Sequence, residues 1–138
     1  MDIRRGGGSP PVAGPASDFT GAVRLERLVA AVAPARVQVV RVSFDAGART
    51  VWHTHPFGQA IHVLDGVGRA QSRGGPVREI RPGDTVWFAP GEEHWHGAAP
   101  DAAMVHLAVQ EADERGVAAV WLEPVTDEDF RAAPEVTG

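Results

Sequence analysis

Gly47-Ala48-Arg49-Thr50-Val51-Trp52-His53-Thr54-His55-Pro56-Phe57-Gly58-Gln59-Ala60-Ile61-His62-Val63-Leu64-Asp65-Gly66 is the stretch on which the reading of the fold turns. His53 and His55 stand two residues apart. On an extended strand, residues i and i+2 lie on one face, so both imidazoles enter the same space. Gln59 opens the next apolar run, Gln59 to Leu64, and inward parity brings its amide to the pair. His62 has the opposite parity and reads as an outward residue. Asp65-Gly66 closes the run with a hairpin signal. The pattern returns in His94-Trp95-His96, introduced by Pro90-Gly91-Glu92-Glu93. With six histidines in 138 residues, chance predicts well under one such pair, so two of them point to a built site. His106 shares a strand face with Ala108 and Gln110.

On either side of these pairs the chain reads as short strands separated by turn residues. Over 36–44, Val37 and Val39 face one way while Val40, Val42 and Phe44 face the other, which suits a strand covered on both faces. Further strands are expected over 49–55, 59–64, 69–72, 77–80, 85–88, 94–97, 104–110 and 117–122. The punctuation between them includes Asp45-Ala46-Gly47, Arg73-Gly74-Gly75-Pro76 and Arg81-Pro82-Gly83-Asp84. Many short strands at close spacing mean a β-sandwich or barrel rather than an α/β fold. Trp52, Trp87 and Trp95 are expected to pack as core, and Arg49 and Glu92 to lie in turns or on the surface. Only the end looks helical: Thr126-Asp127-Glu128-Asp129 supplies an N-cap and acids for a first turn, Phe130 is its apolar contact, and Pro134 stops it.

Residues 1–17 are rich in Gly, Pro and Ser and read as an extended arm, ordered where it docks, ahead of a single domain over 18–138. Such an arm suits packing along a neighbouring subunit, and a homodimer or homotetramer is expected. The apolar fraction of 43% with a net charge of −5 describes a folded chain, not a disordered one. The mild acidity argues against a nucleic-acid surface, the lack of an 18-residue apolar run against a membrane span, and the absence of an apolar stretch in Met1-Asp2-Ile3-Arg4-Arg5-Gly6-Gly7-Gly8 against a signal peptide. A cytoplasmic domain is the expectation. With no Cys, any metal must be held by N and O ligands, and with no Lys, Schiff-base chemistry within the chain is ruled out. Imidazoles converging inside a β-barrel therefore describe a first-row metal site, for Mn, Fe, Ni, Co, Cu or Zn.

On these residues the chain resembles a cupin. The first cupin motif is matched by Gly47, His53, His55, Gln59 and Gly66, and the second by Gly83, Gly91 and His94. Gln59 stands where most cupins carry Glu, Ala89 where they carry Pro, and Ala98 where they carry Asn. The resemblance implies a double-stranded β-helix, a jelly-roll barrel of two antiparallel sheets, here with a short C-terminal helix. Over roughly residues 17–131 the chain is similar to a narrower group, the small bacterial cupins with manganese-dependent hydroxynitrile lyase activity. The shared passages include Phe19-Thr20-Gly21, Trp52-His53-Thr54-His55-Pro56, His94-Trp95-His96-Gly97-Ala98-Ala99-Pro100 and Val125-Thr126-Asp127-Glu128.

That likeness implies one divalent ion per chain, Mn(II) first and Fe, Zn, Ni or Co as alternatives, held by His53, His55, His94 and Gln59. It gives His96 and His106 the acid–base work and places Val40, Val42 and Gln110 in the substrate pocket, to which strand parity adds Phe44 and Ala108. Gln in place of Glu removes a negative charge from the ion's ligands, which strengthens its Lewis acidity and resists its oxidation. The expected reaction is the reversible cleavage of a cyanohydrin to an aldehyde and HCN, and an aliphatic and aromatic lining favours an aldehyde such as benzaldehyde over a sugar. Two other readings stand beside it, a dioxygenase of the quercetinase type and a non-enzymatic small-molecule-binding cupin.

Overall fold

A computed structural model describes residues 1–6 and 10–135. In chain order its strands are β1 Val12–Ala13, β2 Phe19–Thr20, β3 Val23–Ala30, β4 Val37–Phe44, β5 Arg49–Thr50, β6 His53–Thr54 and β7 Gln59–Gly66. They continue with β8 Gly68–Ser72, β9 Arg78–Ile80, β10 Thr85–Phe88, β11 His94–Ala98, β12 Met104–Glu111 and β13 Val120–Trp121, and the helix α1 spans Asp127–Arg131. A six-stranded sheet runs β1-β3-β4-β12-β7-β10. A seven-stranded sheet runs β13-β6-β11-β5-β2, with β8 on the other side of β11 and β9 beyond β8. All the strand pairs are antiparallel, and the two inner faces enclose the core, as in a double-stranded β-helix.

Period-2 burial explains the inner face of the six-stranded sheet. Gln59, Ile61 and Val63 on β7, Val42 and Phe44 on β4, and Met104, His106 and Ala108 on β12 are buried, while their alternate neighbours lie towards solvent. The expectation that 36–44 is covered on both faces does not hold. Val37 is 38% and Val109 39% exposed on the outer side, because the helix packs on the opposite sheet. The outward parity of His62 does hold. On the seven-stranded sheet the outer face is closed: Trp95 is buried with Trp52, Val77, Val125 and Phe130, its ring 5.7 Å from that of Phe130. Thr126 caps α1 by accepting from the Asp129 N–H at 3.2 Å.

Several local expectations are corrected. The strand over 49–55 is split, because Trp52 N–H donates to Glu123 O and the Val51 carbonyl accepts from the ring of His53 instead of a ladder partner. Asp65-Gly66 is not a hairpin. It is a corner where the chain leaves β7 for β8 in the other sheet, and a side chain at Gly66 (φ +80°) would collide with the Ala103 carbonyl. Of 117–122 only Val120–Trp121 is strand, since Asp113 draws the preceding segment into a loop by accepting from Arg115 and Val117 N–H. Trp87 is 60% exposed on the edge strand β10. Arg49 is buried: its guanidinium donates to Val125 O at 2.9 Å and to Asp127 at 2.8 Å and lies 4.3 Å over the Phe130 ring, pinning the helix to the barrel.

Candidate metal centre and substrate pocket

Five of the six histidines are buried between the two sheets. The seven-stranded sheet contributes His53, directly opposite His94 on β11, together with His96, and His55 follows just after β6. The six-stranded sheet contributes Gln59 from β7 and His106 from β12. His94 and His96 face the interior because Trp95 between them turns outward beneath α1. Close strand packing is needed here: a methyl group at Gly97 would sit 2.5 Å from the Ala48 carbonyl oxygen.

Three of these rings are oriented in the same way. Nδ1 donates to a backbone carbonyl in His53 (Val51 O, 2.8 Å), His55 (Ala118 O, 2.7 Å) and His94 (Glu92 O, 2.8 Å). That fixes the tautomer and leaves the Nε2 lone pair free, the usual arrangement of metal-binding imidazoles. His96 differs, with its Nδ1 3.0 Å from Nε2 of His106 and one proton between them. If His96 holds that proton, its own Nε2 is a lone pair. If His106 holds it, His96 donates through Nε2 to Gln59 Oε1 at 3.2 Å.

Burial sets the charge state. His94 and His106 are each pushed down to about 4, by burial first. His53 and His96 lie well below the ordinary histidine value, again through burial first, with His94 next for His53 and His106 next for His96. Burial lowers His55 as well. At neutral pH all five are uncharged, so their lone pairs are available.

Two features show that these groups fit a cation. Nε2 of His55 is buried without a hydrogen-bond partner. Nε2 of His94, a lone pair by the orientation above, lies 3.4 Å from Gln59 Oε1, another acceptor. Two acceptors held together in a buried space repel unless a cation lies near them. His53, His94 and His96 offer ligand atoms within 4.8 Å of one another, so three buried histidines here can bind a metal ion. The ligand set expected from sequence includes His55 and Gln59 in place of His96, and both lie at the same cluster: the His55 ring is 5.0 Å from His53 and 5.4 Å from His94.

A cavity of about 440 Å³ opens over the cluster. Val40, Val42, Ala108 and Gln110 line it. Phe44 does not: it is 1% exposed and packs behind the histidine pair, 5.3 Å from the His106 ring. Phe19, Leu25, Gln38 and Trp121 also line the cavity, and none of them was reached from sequence. Trp121 lies 4.8 Å from the His53 ring and 6.0 Å from Phe19. Parity could have nominated Gln38, which shares a face with Val40 and Val42. A larger groove, about 540 Å³, runs along β8–β10 but is lined by no histidine, whereas His53, His55, His96 and His106 line the smaller cavity.

Residues 40–110 match the family model described as the cupin domain, which spans half of the chain. The chain belongs to the cupin family. This cupin is 55% identical over 131 residues to the (R)-mandelonitrile lyase of Granulicella tundricola, covering 95% of this chain and 99% of that protein. It is 40% identical to a cupin-like protein of Thermotoga maritima of known structure, with a TM-score of 0.82 and 98% of each chain covered. The DMSP lyase DddQ of Ruegeria pomeroyi shares the fold at 23% identity, with a TM-score of 0.62 over 80% of this chain and 54% of that one. No helix among the described residues of this cupin is long and apolar enough to cross a membrane.

Proposed function

We propose that this cupin is a metal-dependent hydroxynitrile lyase that reversibly cleaves an aromatic cyanohydrin to an aldehyde and hydrogen cyanide. One observation carries the reading: the 55% identity to an (R)-mandelonitrile lyase runs through nearly the whole of both chains. The geometry supports it, with a buried, neutral His96–His106 pair set beside a nitrogen and oxygen donor cluster under a partly apolar cavity. We assign His53, His55, His94 and Gln59 as the ligands of one divalent ion, with manganese the first candidate and iron, zinc, nickel and cobalt the others. Such an ion supplies Lewis-acid stabilisation of an oxygen that becomes negatively charged.

The chain's own groups account for the proton. His96, with its Nδ1–H donated to His106, offers Nε2 to the cyanohydrin hydroxyl and takes its proton. The O–H electron pair forms the carbonyl, the carbon–carbon bond to the nitrile breaks, and cyanide leaves with the bonding pair. His106 stabilises the His96 imidazolium by accepting from Nδ1 until the proton passes to cyanide as HCN. Val40, Val42 and Ala108 give the aryl ring an apolar wall.

Elemental analysis of the purified protein, followed by mandelonitrile cleavage with each candidate metal, tests the reading. Benzaldehyde should appear with metal and stop on chelation. Loaded protein that leaves mandelonitrile intact while consuming oxygen with a flavonol or diketone would replace the lyase by a dioxygenase.

A further inference from the structure

Three glutamines lie side by side across the inner face of the six-stranded sheet. Gln110 on β12 is the direct cross-strand partner of Gln59 on β7 and of Gln38 on β4. Their carboxamides join head to tail: Gln59 Nε2 donates to Gln110 Oε1 at 2.8 Å, and Gln110 Nε2 donates to Gln38 Oε1 at 3.2 Å. The inner end, Gln59 Oε1, meets His96 Nε2 at 3.2 Å and His94 Nε2 at 3.4 Å. The outer end, Gln38, is half-buried in the cavity wall.

Each carboxamide carries an acceptor oxygen and a donor nitrogen of nearly equal size, so the chain has a direction. It is satisfied as found or wholly reversed, whereas a single reversed member sets oxygen against oxygen or N–H against N–H. Direction decides what the histidine cluster sees. With oxygen inward, Gln59 is a ligand for a cation. With nitrogen inward, its N–H groups would donate to the His94 and His96 lone pairs, and the cluster would have no oxygen ligand. With no cation bound, the oxygen-inward chain can accept from His96 but sets Gln59 Oε1 against the His94 Nε2 lone pair, whereas the nitrogen-inward chain satisfies both rings. An acceptor at residue 38 therefore weighs against the reversal, and a donor there adds to it.

We propose that Gln38 is a positioning residue for the site: as the terminal acceptor of the Gln59–Gln110–Gln38 chain it favours presentation of the Gln59 oxygen, and not the nitrogen, to the histidine cluster. This rests on the reading of the cluster as a metal site and adds a residue well outside the ligand set. An acceptor at position 38 supports metal binding, and a donor there opposes it by turning the chain around.

Equilibrium manganese binding, measured by titration of the metal into chelator-stripped full-length protein, reads this directly. Gln38→Glu, which can only accept, should bind as tightly as the unaltered protein or more tightly. Gln38→Met, neutral and without either function, should bind about two- to tenfold more weakly, the scale of one hydrogen bond. Gln38→Lys, which can only donate, should lose about tenfold or more, as outer-sphere partners of metal ligands do. Charge alone would also separate Glu from Lys, so the same pair is made in a Gln110→Leu background, where the chain is cut. There the Glu-to-Lys ratio should shrink several-fold. Melting temperatures in chelator should be closely similar for Gln38→Met and the unaltered protein, which a purely structural role would not give. An unchanged Glu-to-Lys ratio without Gln110, or Gln38→Met binding as the unaltered protein does, would overturn the proposal. Failure of the unaltered protein to bind any candidate metal would overturn the metal-site reading and the proposal with it.

Discussion

Lowering the pH from 7.5 to 5 on metal-stripped protein tests the buried histidines. His94 and His106 titrate near 6.5 when exposed to water and are pushed down to about 4 in the fold. The unfolded chain therefore takes up protons that the native state refuses, and stability must rise with pH across that window. It is fully present above pH 6.5, declines as the pH falls through 6.5, and reaches its lower limit below about 4. At pH 5 each of the two groups should have cost about 2 kcal/mol, and below pH 4 about 3 kcal/mol. Two groups together remove about 4 kcal/mol at pH 5, a large share of the roughly 5–15 kcal/mol that holds a domain together. His53, His55 and His96 act in the same direction. The assay is urea unfolding at both pH values, with His106→Leu run alongside. Leucine fills much of the space against Phe44 and cannot titrate, so the drop between pH 7.5 and 5 should shrink by about 2 kcal/mol. Equal drops in the two proteins would refute the claim that His106 is held neutral.

Other outcomes follow from the same geometry. His96→Ala should retain metal while cyanohydrin cleavage falls by about 10²–10⁴-fold, because the proton acceptor is removed and the assigned ligands remain; metal analysis and turnover on one sample decide it, and loss of metal would make His96 a ligand. His53→Ala or His94→Ala should lose both metal and activity, and a full metal complement in either would break the ligand assignment. Arg49→Met should lower stability by about 1–3 kcal/mol, since the buried Val125 carbonyl loses its donor, and thermal melting should show it with the metal content unchanged. Phe130→Ala should cost about 3–5 kcal/mol by emptying the space between α1 and Trp95.

Much of this molecule was legible in the order of its residues, because a strand has a period of two and a turn has a restricted chemistry. The strand period placed His53 with His55 and His94 with His96 and set Gln59 opposite in parity to His62, and the N-cap preference for a hydroxyl ahead of acids fixed Thr126 as the helix cap. The family resemblance then named the barrel. What local rules could not supply was decided by which strands became neighbours. Arg49 reads as a turn residue until α1 returns from 78 positions later to cover it. Asp65-Gly66 has the composition of a hairpin, yet its flanking strands belong to different sheets. Phe44 has the parity of a pocket residue, but it is buried against the rings of His106 and His96 and does not line the cavity. The head-to-tail amides of Gln38, Gln110 and Gln59 come from three strands whose adjacency is a property of the jelly-roll order. Side-chain direction along a strand is set by the backbone, and the sequence carries it. Contact across strands is set by closing long loops against a shared core, and only the folded chain decides which residues meet.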